Sequence, residues 1–201
     1  MGTRSERWLI KPLSCPRPIR HCPTCGGLKE FICSNRFRVN AQKKVLDVWL
    51  HYRCSKCSGA WKYPVLERQS IATLDALAYE AYVRHDTDMV WRHAFDVGRL
   101  RAYVMHVDAN VGVEVERSVV AGAADDEDLS IHLEVPFACE IRLDKLLAAE
   151  LGVSRSTVQC WYERGQLHIS PEQSGALSKR ARSGQKLLLS GITRVNDRNC
   201  G

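Results

Sequence analysis

Cys22-Pro23-Thr24-Cys25 and Cys54-Ser55-Lys56-Cys57 place four thiols in two C-x2-C pairs, with 28 residues between the pairs. Each such turn presents two sulfurs on one side of a tight bend, and two turns together supply the four thiolates of a tetrahedral zinc site. Glycines follow each pair, at Gly26, Gly27 and Gly59, where the chain must bend back from the metal. Four sulfurs leave no open coordination position, so the pattern predicts one structural zinc held by Cys22, Cys25, Cys54 and Cys57, not a catalytic one. The alternatives are two disulfides or unrelated thiols. Cys15 or Cys33 is near enough in sequence to replace one of the four ligands.

Other chemistry is sparse. The chain has no phosphate-cradling G-x-x-x-x-G-K-[ST], no G-x-G-x-x-G, no H-E-x-x-H and no G-x-S-x-G. Its histidines show no ligand spacing beside a carboxylate, so the expectation is a protein that is not an enzyme. A second pattern lies near the C-terminus. Leu143, Leu146, Leu147 and Leu151 stripe one side of a helix, Gly152 permits a turn, Ser154 caps a second helix and Gly165 ends it. Leu167 and Ile169 then alternate as a strand. The basic loop Lys179-Arg180-Ala181-Arg182 leads to a closing strand after Gly184-Gln185.

The elements around these sites divide by charge and period. Residues 1–68 carry 14 Lys and Arg against 4 Asp and Glu; residues 69–139 carry 5 against 13; residues 140–201 carry 10 against 6. Two basic ends suit a polyanionic partner, although solvated surface charge gives the same count. In the basic ribbon, Leu28 to Cys33, Val45 to Arg53 and Trp61 to Leu66 read as strands, and Arg36 to Lys44 as a loop or hairpin tip. Phe37, Trp49, Tyr52 and Trp61 interleave with basic residues, a mix able to stack on bases or to fill a small core. In the acidic middle, a helix follows Ser70 or Thr73 as its cap, with Ile71, Leu74, Leu77, Ala78, Ala81 and Tyr82 on one face. A second helix starts near Thr87 and ends at Gly98. Val111 to Glu116 and Ile131 to Phe137 alternate as strands, separated by the acidic loop Ala121 to Asp128.

This gives an α+β chain of four parts: a zinc ribbon over 1–68, an acidic α+β region over 69–139, a helix-turn-helix-strand module over 140–193 and a flexible tail over 194–201. With 45% hydrophobic and 26% charged residues it has the composition of a soluble domain, and no apolar run approaches the length of a membrane span. Nine cysteines without an apolar leader in residues 1–20 predict a cytoplasmic protein, with Cys15, Cys33, Cys139, Cys160 and Cys200 as ordinary thiols.

The C-terminal order of elements resembles the S-four-type RNA-binding domain over about the last 55 residues. The similarity lies in Arg142-Leu143-Asp144-Lys145-Leu146-Leu147, in Val153-Ser154-Arg155-Ser156, in the glycine before a strand at 165 and in Gly184-Gln185. The resemblance implies that Arg142, Lys145, Arg155 and Ser156 face RNA phosphates; the basic loop with Lys179, Arg180 and Arg182 extends that surface. Where the family carries an Asn-Gly hairpin, this chain has Ser170-Pro171-Glu172-Gln173-Ser174-Gly175. The same residues fit a DNA-binding helix-turn-helix, with Ala148, Gly152 and Val158 at the small, turn and buried positions. Ser154, Arg155, Thr157 and Gln159 would then open a recognition helix. A protein-interaction module is the third possibility.

Over its length the chain also resembles a bacterial family, the domain of unknown function numbered 1062, in both cysteine pairs, Phe37 to Lys44, Leu46 to Leu50 and Ala94 to Asp96. The expected function is a non-catalytic factor contacting structured RNA, either rRNA or tRNA, with the basic ribbon as a second contact. The expected partners are RNA before DNA, with no membrane and no small-molecule substrate.

Overall fold

The computed structural model of the chain describes residues 2–123, 128–172 and 175–191. Among these residues it is mixed α+β. In chain order the strands are β1 (Thr3–Pro12), β2 (Arg17–Cys22), β3 (Gly27–Gln42), β4 (Val45–Cys54), β5 (Ala60–Ser70), β6 (His106–Asp108), β7 (Val113–Ala121), β8 (Asp128–Glu134), β9 (Leu167–Ser170) and β10 (Lys186–Leu189). The helices are α1 (Ala76–Arg84), α2 (Thr87–Ala94), α3 (Val97–Leu100), α4 (Leu143–Leu151) and α5 (Arg155–Glu163). They group into two compact units, one of Ser14–Asn110 and one of Met1–Leu13 with Val111–Gly201. The acidic stretch 69–139 is therefore shared between the two.

In the first unit an antiparallel sheet of order β5-β4-β3-β2-β6 carries α1, α2 and α3 on one face. Strict alternation along β4 buries Leu46, Val48, Leu50 and Tyr52, which meet Phe37, Tyr63, Val65, Tyr82, Val90 and Ala94 in one core. Arg36 to Lys44 departs from the expected loop. It is mostly strand, because Phe37 and Val39 alternate into that core, and only Lys43 and Lys44, at φ 49° and 66°, make the hairpin tip. The first helix also starts later than expected. Ile71–Thr73 is a short 3-10 turn, and Asp75 caps α1 by accepting the Ala78 amide at 3.0 Å. Leu77, expected on the inner face, is 76% exposed. The second helix closes at Ala94, and Gly98 lies inside α3, because Asp96 caps a new helix by accepting the Arg99 amide at 3.0 Å.

The other unit is built on a sheet of order β7-β1-β8-β10-β9, in which β1 pairs parallel to β8 and antiparallel to β7. One face of this sheet carries Trp8, Ile10, Ile131, Leu133, Leu167, Ile169, Leu187 and Leu189. Leu143, Leu146 and Leu147 of α4 and Val158 and Trp161 of α5 pack against them. The expected C-terminal elements are present, with Gly152 left-handed at φ 70° and Ser154 accepting the Thr157 amide at 3.0 Å. The strand expected to run to Phe137 stops at Glu134, ahead of Pro136. No helix among the described residues is long and apolar enough to cross a membrane. The tail expected over 194–201, together with residues 124–127 of the acidic loop and residues 173–174, lies outside the described residues.

Candidate metal centre and candidate nucleic-acid interface

Two hairpin ends build the metal centre. Cys22 closes β2 and Cys54 closes β4, while Cys25 and Cys57 sit in the turns that follow. In each turn an amide folds back onto the first cysteine: Gly26 donates to the Cys22 carbonyl at 3.0 Å, and Ser58 to the Cys54 carbonyl at 2.9 Å. Gly26 and Ser58 are both left-handed, at φ 66° and 60°, so the second turn uses a serine where the first uses glycine. Gly59 is needed for space instead, since a Cβ there would lie 3.2 Å from Cys57 Sγ.

The four sulfurs lie within 4.8 Å of one another. The Cys22–Cys57 and Cys25–Cys54 Sγ pairs are 3.5 and 3.9 Å apart. Those separations are well beyond a disulfide, and all four are free cysteines. A tetrahedral thiolate site with metal–sulfur bonds of about 2.3 Å requires sulfur–sulfur edges of about 3.8 Å, so the arrangement fits a metal ion. Its electrostatics agree. The Cys57 and Lys56 amides favour a thiolate at Cys54, whose pKa falls to about 6. The neighbouring Cys57 sulfur, with burial and the other two sulfurs, pushes Cys25 up to about 12, a crowding of charge that a divalent cation relieves.

Cys15 and Cys33 do not enter this cluster. Cys15 donates to Asn35 Oδ1 at 3.7 Å, and its thiol is raised first by Cys33 and then by burial, so these two cysteines interact with each other. Cys139 is also free. Cys200 lies outside the described residues.

In the other unit the residues expected to meet RNA are all exposed: Arg142, Lys145, Arg155, Ser156, Lys179, Arg180 and Arg182. Arg142 precedes α4 and Arg155 opens α5, and both guanidinium groups reach Asp144, at 2.8 and 2.7 Å. Burial pushes the Asp144 carboxyl up, but hydrogen bonds from Arg142 and Arg155 outweigh it and hold the group below its usual value. The segment 179–181 runs antiparallel beside 141–143: Leu143 donates to the Lys179 carbonyl and Ala181 to the Ile141 carbonyl, both at 2.9 Å. That pairing puts Arg180 opposite Arg142, with its own ion pair to Glu140 at 2.5 Å. Ser156 Oγ is 2.7 Å from Ser154 Oγ, and the Arg182 amide donates to Gln185 Oε1 at 2.8 Å.

The structure thus joins Arg142, Arg155, Lys179 and Arg180 through α4, α5 and one paired segment. Asp144 and Glu140, which hold the arginines, were missed as site residues. The signal for Asp144 was present, since an acid two residues after Arg142 in the first helical turn faces that turn's own cap. On the helix-turn-helix alternative, Gln159 is engaged along its own helix, donating to Glu163 Oε1 at 2.8 Å.

A model of the family described as "Protein of unknown function (DUF1062)" matches residues 39–173, more than half of the chain. The match includes the second cysteine pair and begins after the first. No curated protein and no solved structure matches the chain.

Proposed function

The chain belongs to the DUF1062 family, and we propose that it is a non-catalytic protein that binds structured RNA and carries one structural zinc ion. The observation that carries the RNA-binding role is the convergence of Arg142, Arg155 and Arg180 on one exposed edge formed by α4, α5 and the segment 179–181. The order α4, left-handed Gly152, α5, β9, basic segment, β10 is also that of the S-four-type domain the sequence resembles. The amides opening α5 add a positive end beside Arg155. Zinc is favoured over other ions because four sulfurs at near-tetrahedral separations suit a borderline-soft cation without geometric demands of its own.

Duplex DNA is the competing partner. A recognition helix needs Gln159 free to reach base edges, yet its amide is held by Glu163, whose carboxylate on the same helix face repels phosphate. Sequencing the nucleic acid that co-purifies with the protein, followed by competition at physiological salt, tests the role. Structured RNA should displace a bound RNA hairpin, and Arg142→Ala with Arg155→Ala should weaken that binding while the domain stays folded. Tighter binding to a specific DNA duplex than to total RNA would replace this role with the helix-turn-helix one.

A further inference from the structure

The helices of the Ser14–Asn110 unit cover one face of its sheet and leave the other to a distinct set of residues. Along β4 the buried positions alternate with Trp49, His51 and Arg53, which therefore share the opposite face, about 6.8 Å apart from one to the next. Cross-strand pairing completes the row. Trp49 stands between Arg38 and Pro64, His51 opposite Lys62, and Arg53 opposite the exposed Ile32. Phe37 and Tyr52 lie in the core and Trp61 packs against it. Trp49 is the aromatic of that sequence group which does not.

The charges here differ in kind from those at the C-terminal module. Arg142, Arg155 and Arg180 each have a carboxylate within 4.0 Å, Asp144 being shared by the first two. Arg38, Arg53 and Lys62 are exposed and have no such partner among the described residues. His51 is half-buried among them, and its Nε2 is buried without a hydrogen-bond partner. Burial, then Lys62, Arg38, Arg53 and His85, lower its pKa, so it is neutral in a field that favours an anion. Two acids of this face are engaged, Asp47 by the Arg68 amide at 2.8 Å and Glu30 by Arg17 at 3.5 Å.

We infer that this sheet face binds single-stranded nucleic acid, with a base stacked on Trp49 and phosphates on Arg38, Arg53 and Lys62. Unpaired cations around a half-buried aromatic on an open sheet are the complement of a flexible polyanion whose bases are free to stack. Duplexes keep their bases stacked internally and offer nothing to Trp49. This deepens the RNA-binding role proposed above and rests on it: the C-terminal edge takes the folded part of the ligand, and this face takes an unpaired stretch.

Fluorescence anisotropy on the full-length, metal-loaded protein tests the inference, with two labelled probes: an oligouridylate of about twelve nucleotides and a blunt RNA hairpin. Trp49→Ala should weaken oligouridylate binding about tenfold and leave hairpin binding unchanged, while Trp49→Tyr restores most of the loss. Arg38→Ala with Lys62→Ala should lower the slope of log affinity against log salt by about 1.4, or about 0.7 per lost phosphate contact on a single strand. Neither change touches the core, and unchanged metal content and circular dichroism check that.

Oligouridylate affinity indifferent to both variants would overturn the inference, as would an equal loss of oligouridylate and hairpin binding in Trp49→Ala, or poly-L-glutamate binding as tightly as oligouridylate. The RNA-binding role of the C-terminal module fails separately. Hairpin binding indifferent to Arg142→Ala with Arg155→Ala removes that role, while a Trp49-dependent oligouridylate complex retains the single-strand face.

Discussion

Asp144 is a single carboxylate, 7% exposed, that holds two guanidinium groups. Its pKa is depressed, so it contributes stability that is complete above the unfolded value of about 3.9 and disappears as pH falls through the lower folded value. Asp144→Asn should therefore lower stability at pH 7 by about 1–2 kcal/mol, a modest figure because both arginines are half exposed. In urea unfolding the gap between variant and parent should narrow as pH falls through the depressed folded value, and a gap that stays constant into acid would count against the ion pairs. His93 works in a higher pH window. Burial, then Arg99, lowers it to about 4, and its Nε2 lies 3.0 Å from the Tyr82 hydroxyl. The folded state holds it neutral, so stability begins to fall below the unfolded value of about 6.5 and the loss levels off below about pH 4. Between pH 7 and 4 the parent should lose up to about 2 kcal/mol more than His93→Gln, after allowance for partial exposure. Equal acid sensitivity of the two would show that His93 is not the group responsible.

Among the elements, the C-terminal helices were legible because their signals are local. Ser154 sits three residues before the amide it accepts, Gly152 is left-handed, and the leucine stripe has one period. Ser154→Ala should accordingly cost about 1 kcal/mol in thermal or urea unfolding, the usual cost of losing a helix N-cap. The cysteine cluster was legible for the same reason, each half being a four-residue turn, with only the pairing of the halves left to the hairpins. Strand β1 was not. Its buried face reads Glu6, Trp8, Ile10, Pro12, with a charge where a strand pattern expects an apolar residue. Glu6 is tolerated there because Trp8 Nε1 donates to it at 2.8 Å and Arg4 lies 2.7 Å away. Its partners, β7 and β8, are more than a hundred residues on in the chain, and no local rule reaches that far. The extension of β3 through Arg36 to Gln42 was hidden likewise, because the four basic residues Arg36, Arg38, Lys43 and Lys44 masked the alternation of Phe37 and Val39.

At the scale of the whole molecule, the sheets and the metal cluster predict where stability depends on the ion. Both five-stranded sheets close within their own units, and all four sulfurs belong to Ser14–Asn110. An ion held by the four sulfurs would clamp the β2–β3 end to the β4–β5 end, and so join the strands that carry Tyr52, Tyr63, Leu46 and Leu50 into one core. Metal binding at such sites is on the order of 10 kcal/mol and is coupled to folding, comparable to the whole stability of a domain. Elemental analysis should find one zinc per chain. Stripping it with a chelator, or Cys54→Ser, should then unfold the unit that contains the cluster. Amide hydrogen exchange would read this residue by residue: protection at Leu46, Leu50 and Tyr52 should collapse, while Ile131, Leu133 and Leu187, in the sheet of the other unit, keep theirs. A metal-free protein with full protection in both sheets would show that the four sulfurs are packed thiols and that hydrophobic burial alone holds the hairpins together. Loss of protection in both sheets at once would show that the two units fold as one.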